Sequence, residues 1–243
     1  MKKVTFVCES NPGANRDGFN ISYPNGGMDT CLYELFVSAG YDVTWIKLSP
    51  TDDGSALTDE ILESTEVMVW WGHAYHHLVL DSIAKKVAAR VHRGMGFIAL
   101  HSSHNSKPFQ RLMGTTCYLS WREAAERERV WCINPSHPIA RGIPENFVIE
   151  HEEMYGEPFD IPTPDELVFI GWFRGGEVMR SGCVWKRGRG KVFFFQPGHE
   201  TLPVYSNEYT RKVVLNAIEY VTPYEIVAPF GCPNITTPLE PLN

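Results

Sequence analysis

The chain opens on a short apolar run, Val4 to Cys8, and then alternates two patterns. Met28 to Ala39 has helical spacing and is closed by Gly40 in the manner of a C-cap. Tyr41 to Ile46 is rich in β-formers, and a polar loop leads to a short helix near Leu57 to Leu62. Val67 to Trp71 is apolar throughout, the pattern of a strand buried on both faces. Val79, Leu80, Ile83, Ala84, Val87, Ala88 and Val91 then recur at helical spacing. Gly94 and Gly96 break that helix, and Phe97 to Leu100 is another buried strand. This βαβαβ order predicts a parallel sheet with right-handed crossovers and helices on both faces.

The second half is less regular. Arg129 to Ile133, Phe147 to Glu150 and Leu167 to Phe173 read as strands. Cys183-Val184-Trp185 and Val192 to Phe195 flank Lys186-Arg187-Gly188-Arg189-Gly190, a hairpin turn. A last helix spans Tyr209 to Val221, with Val213, Val214, Ala217, Ile218 and Val221 on one face. After Pro223 the chain is Pro-rich and aperiodic. The expected organisation is one α/β domain over residues 1–222 and an extended tail over 223–243, lying on the domain or on a neighbouring subunit of a homo-oligomer.

Composition narrows the function. The 243 residues carry a net charge of -7, which argues against a nucleic-acid partner. No apolar run reaches the roughly 18–20 residues that span a bilayer, so no membrane role is expected. Met1-Lys2-Lys3 resembles a signal n-region, but the apolar stretch after it stops at Cys8-Glu9. The six cysteines form no CxxC pair, most of them read as buried reduced thiols, and the expected setting is the cytoplasm.

In open parallel sheets the ligand crevice lies beyond the carboxyl ends of the strands. Seven of the nine histidines sit in segments that follow predicted strands, all but His92 and His137. These segments are Gly72-His73-Ala74-Tyr75-His76-His77, His101-Ser102-Ser103-His104, His151-Glu152-Glu153-Met154-Tyr155 and Gln196-Pro197-Gly198-His199-Glu200. Clustered imidazoles can move protons or bind a metal near neutral pH. The expected catalytic set is His101, His151, Glu152, His199 and Glu200; Glu153 and Glu157 read as solvated loop acids. His73, His104, Tyr155 and Trp71 are the expected substrate contacts. Trp70, Trp121 and Trp172 also offer faces for a sugar ring, with core filling expected for at least half of these tryptophans. His92 and His137 read as packing or capping residues, and His76 stays open between the two roles.

A metal is the alternative use of the same cluster. His73 with His76 or His77 has a spacing that one helical turn brings onto one face, and His101, His151 and His199 would complete the site. A divalent ion such as zinc would then support a metal-dependent hydrolase.

The motifs together resemble the trehalose-utilisation, or ThuA-like, family. The likeness rests on Trp70-Trp71-Gly72-His73, Leu100-His101-Ser102-Ser103-His104, His137-Pro138-Ile139 with Gly142-Ile143-Pro144, His151-Glu152-Glu153-Met154-Tyr155 and Pro197-Gly198-His199-Glu200. It implies a class I glutamine amidotransferase-like fold: a flavodoxin-like three-layer sandwich with a mostly parallel central sheet. In that superfamily a Cys nucleophile sits at the sharp turn after a central strand, with a His and an acid near the C-terminal end. The matching positions here are His101 and His199-Glu200, so amidotransfer through a thioester is not expected. Ser102 lies next to the turn, outside any GxSxG pattern. The resemblance implies catabolism of trehalose and related disaccharides, or of their oxidised keto forms, by His/Glu proton transfer. A non-catalytic sugar-binding or regulatory module on the same scaffold is the third reading.

Overall fold

The computed structural model describes residues 1–10, 22–23 and 26–242. Of the polar segment Glu9-Ser10-Asn11-Pro12-Gly13, which follows the first strand in the sequence, residues 11–13 lie outside the described residues. The elements are β1 (Lys3–Glu9), α1 (Met28–Ser38), β2 (Asp42–Leu48), α2 (Asp59–Ser64), β3 (Val67–Trp71), α3 (Asp81–Arg93) and β4 (Gly96–Leu100). They continue with α4 (Lys107–Met113), β5 (Ser120–Cys132), β6 (Asn146–Gly156), β7 (Glu166–Phe173), β8 (Val178–Arg187), β9 (Gly190–Phe195) and α5 (Glu208–Val221). Helix α4 is absent from the sequence pattern because it has only seven residues, although Ser106 caps it and Pro108 sits in its first turn.

Among the described residues one sheet of nine strands has the order β2-β1-β3-β4-β9-β8-β7-β5-β6. The first five strands of that order pair in parallel, and the rest are antiparallel. The sheet is therefore mixed, which corrects the mostly parallel sheet expected above. The parallel half follows from side chains that leave no solvated face: Val67–Trp71 and Gly96–Leu100 are buried at every position. Alternate residues feed two cores. Phe6, Val69, Trp71, Leu100 and Phe195 pack on one side with Leu32 and Phe36 of α1 and Val214 and Ile218 of α5. Val7, Trp70, Ala99 and Phe194 pack on the other with Leu62 of α2, Val87 of α3 and Phe109 of α4. The hairpin of β8 and β9 closes with Arg187 opposite Gly190, as its turn residues predict.

Strand β6 is the main departure. The expected strand ends at Glu150, but β6 continues through His151, Glu152, Glu153 and Tyr155 to Gly156. Its partner β5 is also longer than expected and begins at Ser120. Their pairing shifts register between Arg122 and Glu128, where Ala125 takes a φ of 46°. Bulges bend and twist an antiparallel pair. Beyond this one, the paired Trp121 and Tyr155 belong to the part of the ribbon that meets the carboxyl end of β4.

Residues 222–242 form no helix or strand. Val227 exchanges two hydrogen bonds with Arg93, and Phe230 lies 4.4 Å beneath the Arg189 guanidinium. Cys8, Cys117, Cys132 and Cys183 are buried thiols, while Cys232 is exposed. Among the described residues no helix is long and apolar enough to cross a membrane.

Candidate functional site

The strand order reverses at β1, between β2 and β3, and crevices open at the carboxyl ends of such strands. Glu9 ends β1 and is buried there. Its Oε1 accepts the backbone N–H groups of His73 at 2.6 Å and Tyr75 at 2.7 Å. It thereby fixes the loop after β3. Ser103 stitches the next loop to this one, donating to Trp70 O and accepting from Gly72 N–H.

His101 takes the sharp turn after β4, with a φ of 51° in the left-handed region that non-glycine residues rarely adopt. Its ring is fully buried. Nδ1 donates to Gln196 O at 2.8 Å, and Nε2 faces Glu153 Oε2 at 3.0 Å. Tyr155 lies flat against it, with centroids 4.7 Å apart and planes 11° apart. Burial opposes charge on this ring, but the Glu153 hydrogen bond and the charges of Glu152 and Glu153 outweigh it and lift His101 to about 9. The same pairing, against burial, holds Glu153 below the usual carboxylate range. At neutral pH the two form an imidazolium–carboxylate pair.

A second pair stands beside the first. His73 Nδ1 lies 3.0 Å from Glu200 Oε1. The Glu200 hydrogen bond raises His73, and Glu200 is held far below its ordinary value against burial by His73 and His199. His199 packs edge-on to His101 at 5.7 Å. Its Nδ1 accepts from Thr201 N–H, which puts the ring proton on Nε2, 3.6 Å from Glu123 Oε1 and 3.8 Å from Glu200 Oε2.

Glu152 has a different task. It is fully buried and accepts from Gly198 N–H at 2.8 Å, His199 N–H at 3.3 Å and Glu153 N–H at 2.8 Å. Burial pushes it up to about 7. Trp71 Nε1 donates to Gly198 O from the other side at 2.9 Å. The loop that carries His199 and Glu200 is thus clamped between Trp71 and Glu152.

Beside these groups opens a cavity of about 450 Å³, a volume suited to a small molecule. His73, His76, Ser102, His104, Glu123, Glu153 and Tyr155 line it, with Asn105, Leu119 and two aromatic side chains, Tyr118 and Trp121. The last two are 62% and 65% exposed. Among the described lining residues there is no Lys, Arg or Cys.

The trehalose-utilisation profile matches residues 30–221. The chain belongs to the ThuA family. It resembles a ThuA-like protein from Parabacteroides merdae at 12% identity, with 94% of this chain and 92% of that one covered and a TM-score of 0.69. A cytoplasmic protein of Salmonella typhimurium is similar at 14% identity, with 92% and 100% covered and a TM-score of 0.60. A glutamine amidotransferase from Thermotoga maritima has the same type of fold at 13% identity, with 90% and 83% covered and a TM-score of 0.51. No curated protein matches the chain in sequence.

The sharp turn that the amidotransferase-like resemblance pointed to is present in this ThuA chain, occupied by His101. The structure brings together His73, His101, His104, Tyr155, His199 and Glu200, all named from sequence. It sets three others apart. His151 is exposed on the outer face of β6, beside Ala124, Ala125, Glu126, Arg127, Glu150 and Arg174, because the bulge turns it away from Glu153. Trp71 is fully buried and does not line the cavity; it packs edge-on to His73 at 6.4 Å and donates to Gly198 O. Glu152 faces the backbone and not the cavity. Ser102 donates its hydroxyl proton to Gly72 O. Trp70 fills the core, while Trp172 is exposed and does not line the cavity. His137 caps a short turn by accepting from Ile139 N–H.

The metal set does not assemble. His151 and His77 do not line the cavity, and both His101 nitrogens are engaged within the protein. Among the described residues no group of three His, Cys, Asp or Glu side chains is placed to hold a metal ion. The expected set of His73, His77, His101, His151 and His199 therefore does not form a zinc-type centre. Three residues that do matter were not in the expected set: Glu153, Glu123 and Glu9. Glu9 ends a strand, which is a signal the sequence offered. Glu153 directly follows a residue that was chosen, and only the pleat distinguishes the two.

Proposed function

We propose that this ThuA protein is an enzyme that moves a proton next to a carbonyl of an uncharged sugar, with a disaccharide or its keto derivative as substrate. Glu153 is the base. It is the ionised carboxylate that both lines the cavity and is held in place by a buried imidazolium. His73 is the electrophile in its imidazolium form, which the Glu200 hydrogen bond favours: Nδ1–H donates to Glu200, and Nε2–H donates toward the cavity. Glu153 takes the proton from the carbon, the electron pair moves onto the carbonyl oxygen, and the His73 N–H stabilises the enolate that forms. Return of the proton to the former carbonyl carbon, with the neighbouring hydroxyl proton passing to the enolate oxygen, gives isomerisation; expulsion of a β-alkoxy group, which takes the proton held by Glu153, gives elimination.

The observation that carries this reading is the Glu153–His101 pair at the cavity wall. Charge supports the substrate class. A phosphate or carboxylate would meet Glu153 and Glu123 with no Lys or Arg among the described lining residues to receive it. Trp121 and Tyr118 offer exposed aromatic faces to the apolar side of a sugar ring. A cytoplasmic setting is part of the proposal, supported by six free cysteines. Incubating the protein in D₂O with trehalose, maltose, sucrose and their 3-keto forms, followed by proton NMR, tests it. Loss of the signal next to the carbonyl is the expected result. Saturable binding with every proton retained would instead make the protein a sugar-binding module.

A further inference from the structure

His104 is not used by the proton-transfer step, yet the protein fixes it with care. Cys117 takes a φ of 56°, in the left-handed region, and its N–H is held by Asp160 O at 3.0 Å. In that conformation its carbonyl lies 2.7 Å from His104 Nδ1. A carbonyl oxygen can only accept, so Nδ1 carries the proton. Tyr155 and Phe159 pack edge-on against the ring, at 5.5 and 6.0 Å, and prevent it from turning over. Burial pushes His104 down to about 4, so the ring is neutral. Its Nε2 therefore holds a lone pair, and among the described residues no donor reaches it. The adjacent His76 is likewise neutral, pushed down by burial to about 3. Both rings line the cavity that Glu153 borders.

We propose that His104 Nε2 is an acceptor subsite that requires a hydroxyl donor on the part of the sugar that does not react. This rests on the reading of the cavity as a sugar site. It adds a specificity rule: a substrate deoxygenated or O-methylated at the contacting position loses the contact and leaves a buried lone pair unpaired. The strained backbone at Cys117 acquires a purpose, since it aims the carbonyl that sets the tautomer.

The test uses full-length protein labelled with ¹⁵N-histidine, read by long-range ¹H–¹⁵N correlation at pH 7 while trehalose or its 3-keto form is added. Free His104 is expected to show the Nδ1–H tautomer, and the sugar is expected to move its Nε2 resonance upfield. His104→Phe should then bind that sugar about 10-fold more weakly, with His104→Gln in between. An Nε2–H tautomer in the free protein overturns the subsite whatever binds. Binding that leaves Nε2 unmoved, or equal affinity in His104→Phe, overturns it while the sugar reading stands. If neither sugar binds the wild-type protein, the sugar reading fails and the subsite falls with it.

Discussion

His101 Nε2 meets Glu153 Oε2 across 3.0 Å, joining the turn after β4 to the edge strand β6. In the sheet order four strands lie between β4 and β6. The bent β5–β6 ribbon makes the contact by bringing one carboxylate to a histidine rooted in the parallel half.

That pair makes stability depend on pH. An unfolded imidazole titrates near 6.5, and folded His101 near 9. The contribution from protonating His101 is complete below about pH 6.5 and is lost as pH rises through about 9. At about 1.4 kcal/mol per decade the loss is at most roughly 3 kcal/mol. Thermal unfolding of the wild-type protein should therefore weaken between pH 7 and 9, and His101→Gln should flatten that slope. A wild-type slope unchanged by the substitution would mean that His101 is not charged.

Gly198 sits where the clamp from Trp71 and Glu152 closes. A Cβ there would lie 2.4 Å from Tyr205 Oη and 3.0 Å from His101 Cβ. Gly198→Ala should destabilise the fold by about 1–3 kcal/mol, the usual range for overpacking. It should also displace His199 and Glu200, so turnover should fall further than stability does. Denaturant unfolding combined with a kinetic assay separates the two effects.

Glu128 is fully buried within β5, and burial, reinforced by the charge of Glu152, raises it well above the usual carboxylate range. A buried acid of that kind destabilises the fold as pH climbs above its unfolded value. Glu128→Gln keeps the shape and removes the titration. The variant should match the wild-type protein near pH 4 and exceed it in melting temperature at pH 8. A lower melting temperature at pH 8 would show that the carboxylate itself is used.

The parallel half was legible because its inner strands β3 and β4 are buried on both faces and therefore read as unbroken apolar runs. The strand-end rule then located His73, His101, His104 and His199-Glu200 without any long-range information. The β6 residues escaped it. His151 and Glu153 lie two apart and would share a face in a regular strand, but the pairing with β5 is irregular on both sides of Glu152, and the two line different cavities. Whether Glu152 or Glu153 meets the cavity depends on that pleat, and the pleat depends on pairing with β5. Nothing local to His151-Glu152-Glu153 encodes that choice. Glu9 was missed for another reason: its role is to accept two backbone N–H groups from a loop more than sixty residues away.

The most direct test of the account compares deuterium exchange next to the carbonyl of a turned-over keto-disaccharide in wild-type protein, Glu153→Gln and Glu153→Asp. Removing the base should slow exchange by about 10²–10⁴-fold, the usual range for general acid–base catalysis, while the sugar still binds. Aspartate should recover part of the rate. Exchange in Glu153→Gln at the wild-type rate, with the fold intact, would contradict the assignment of Glu153 as the base.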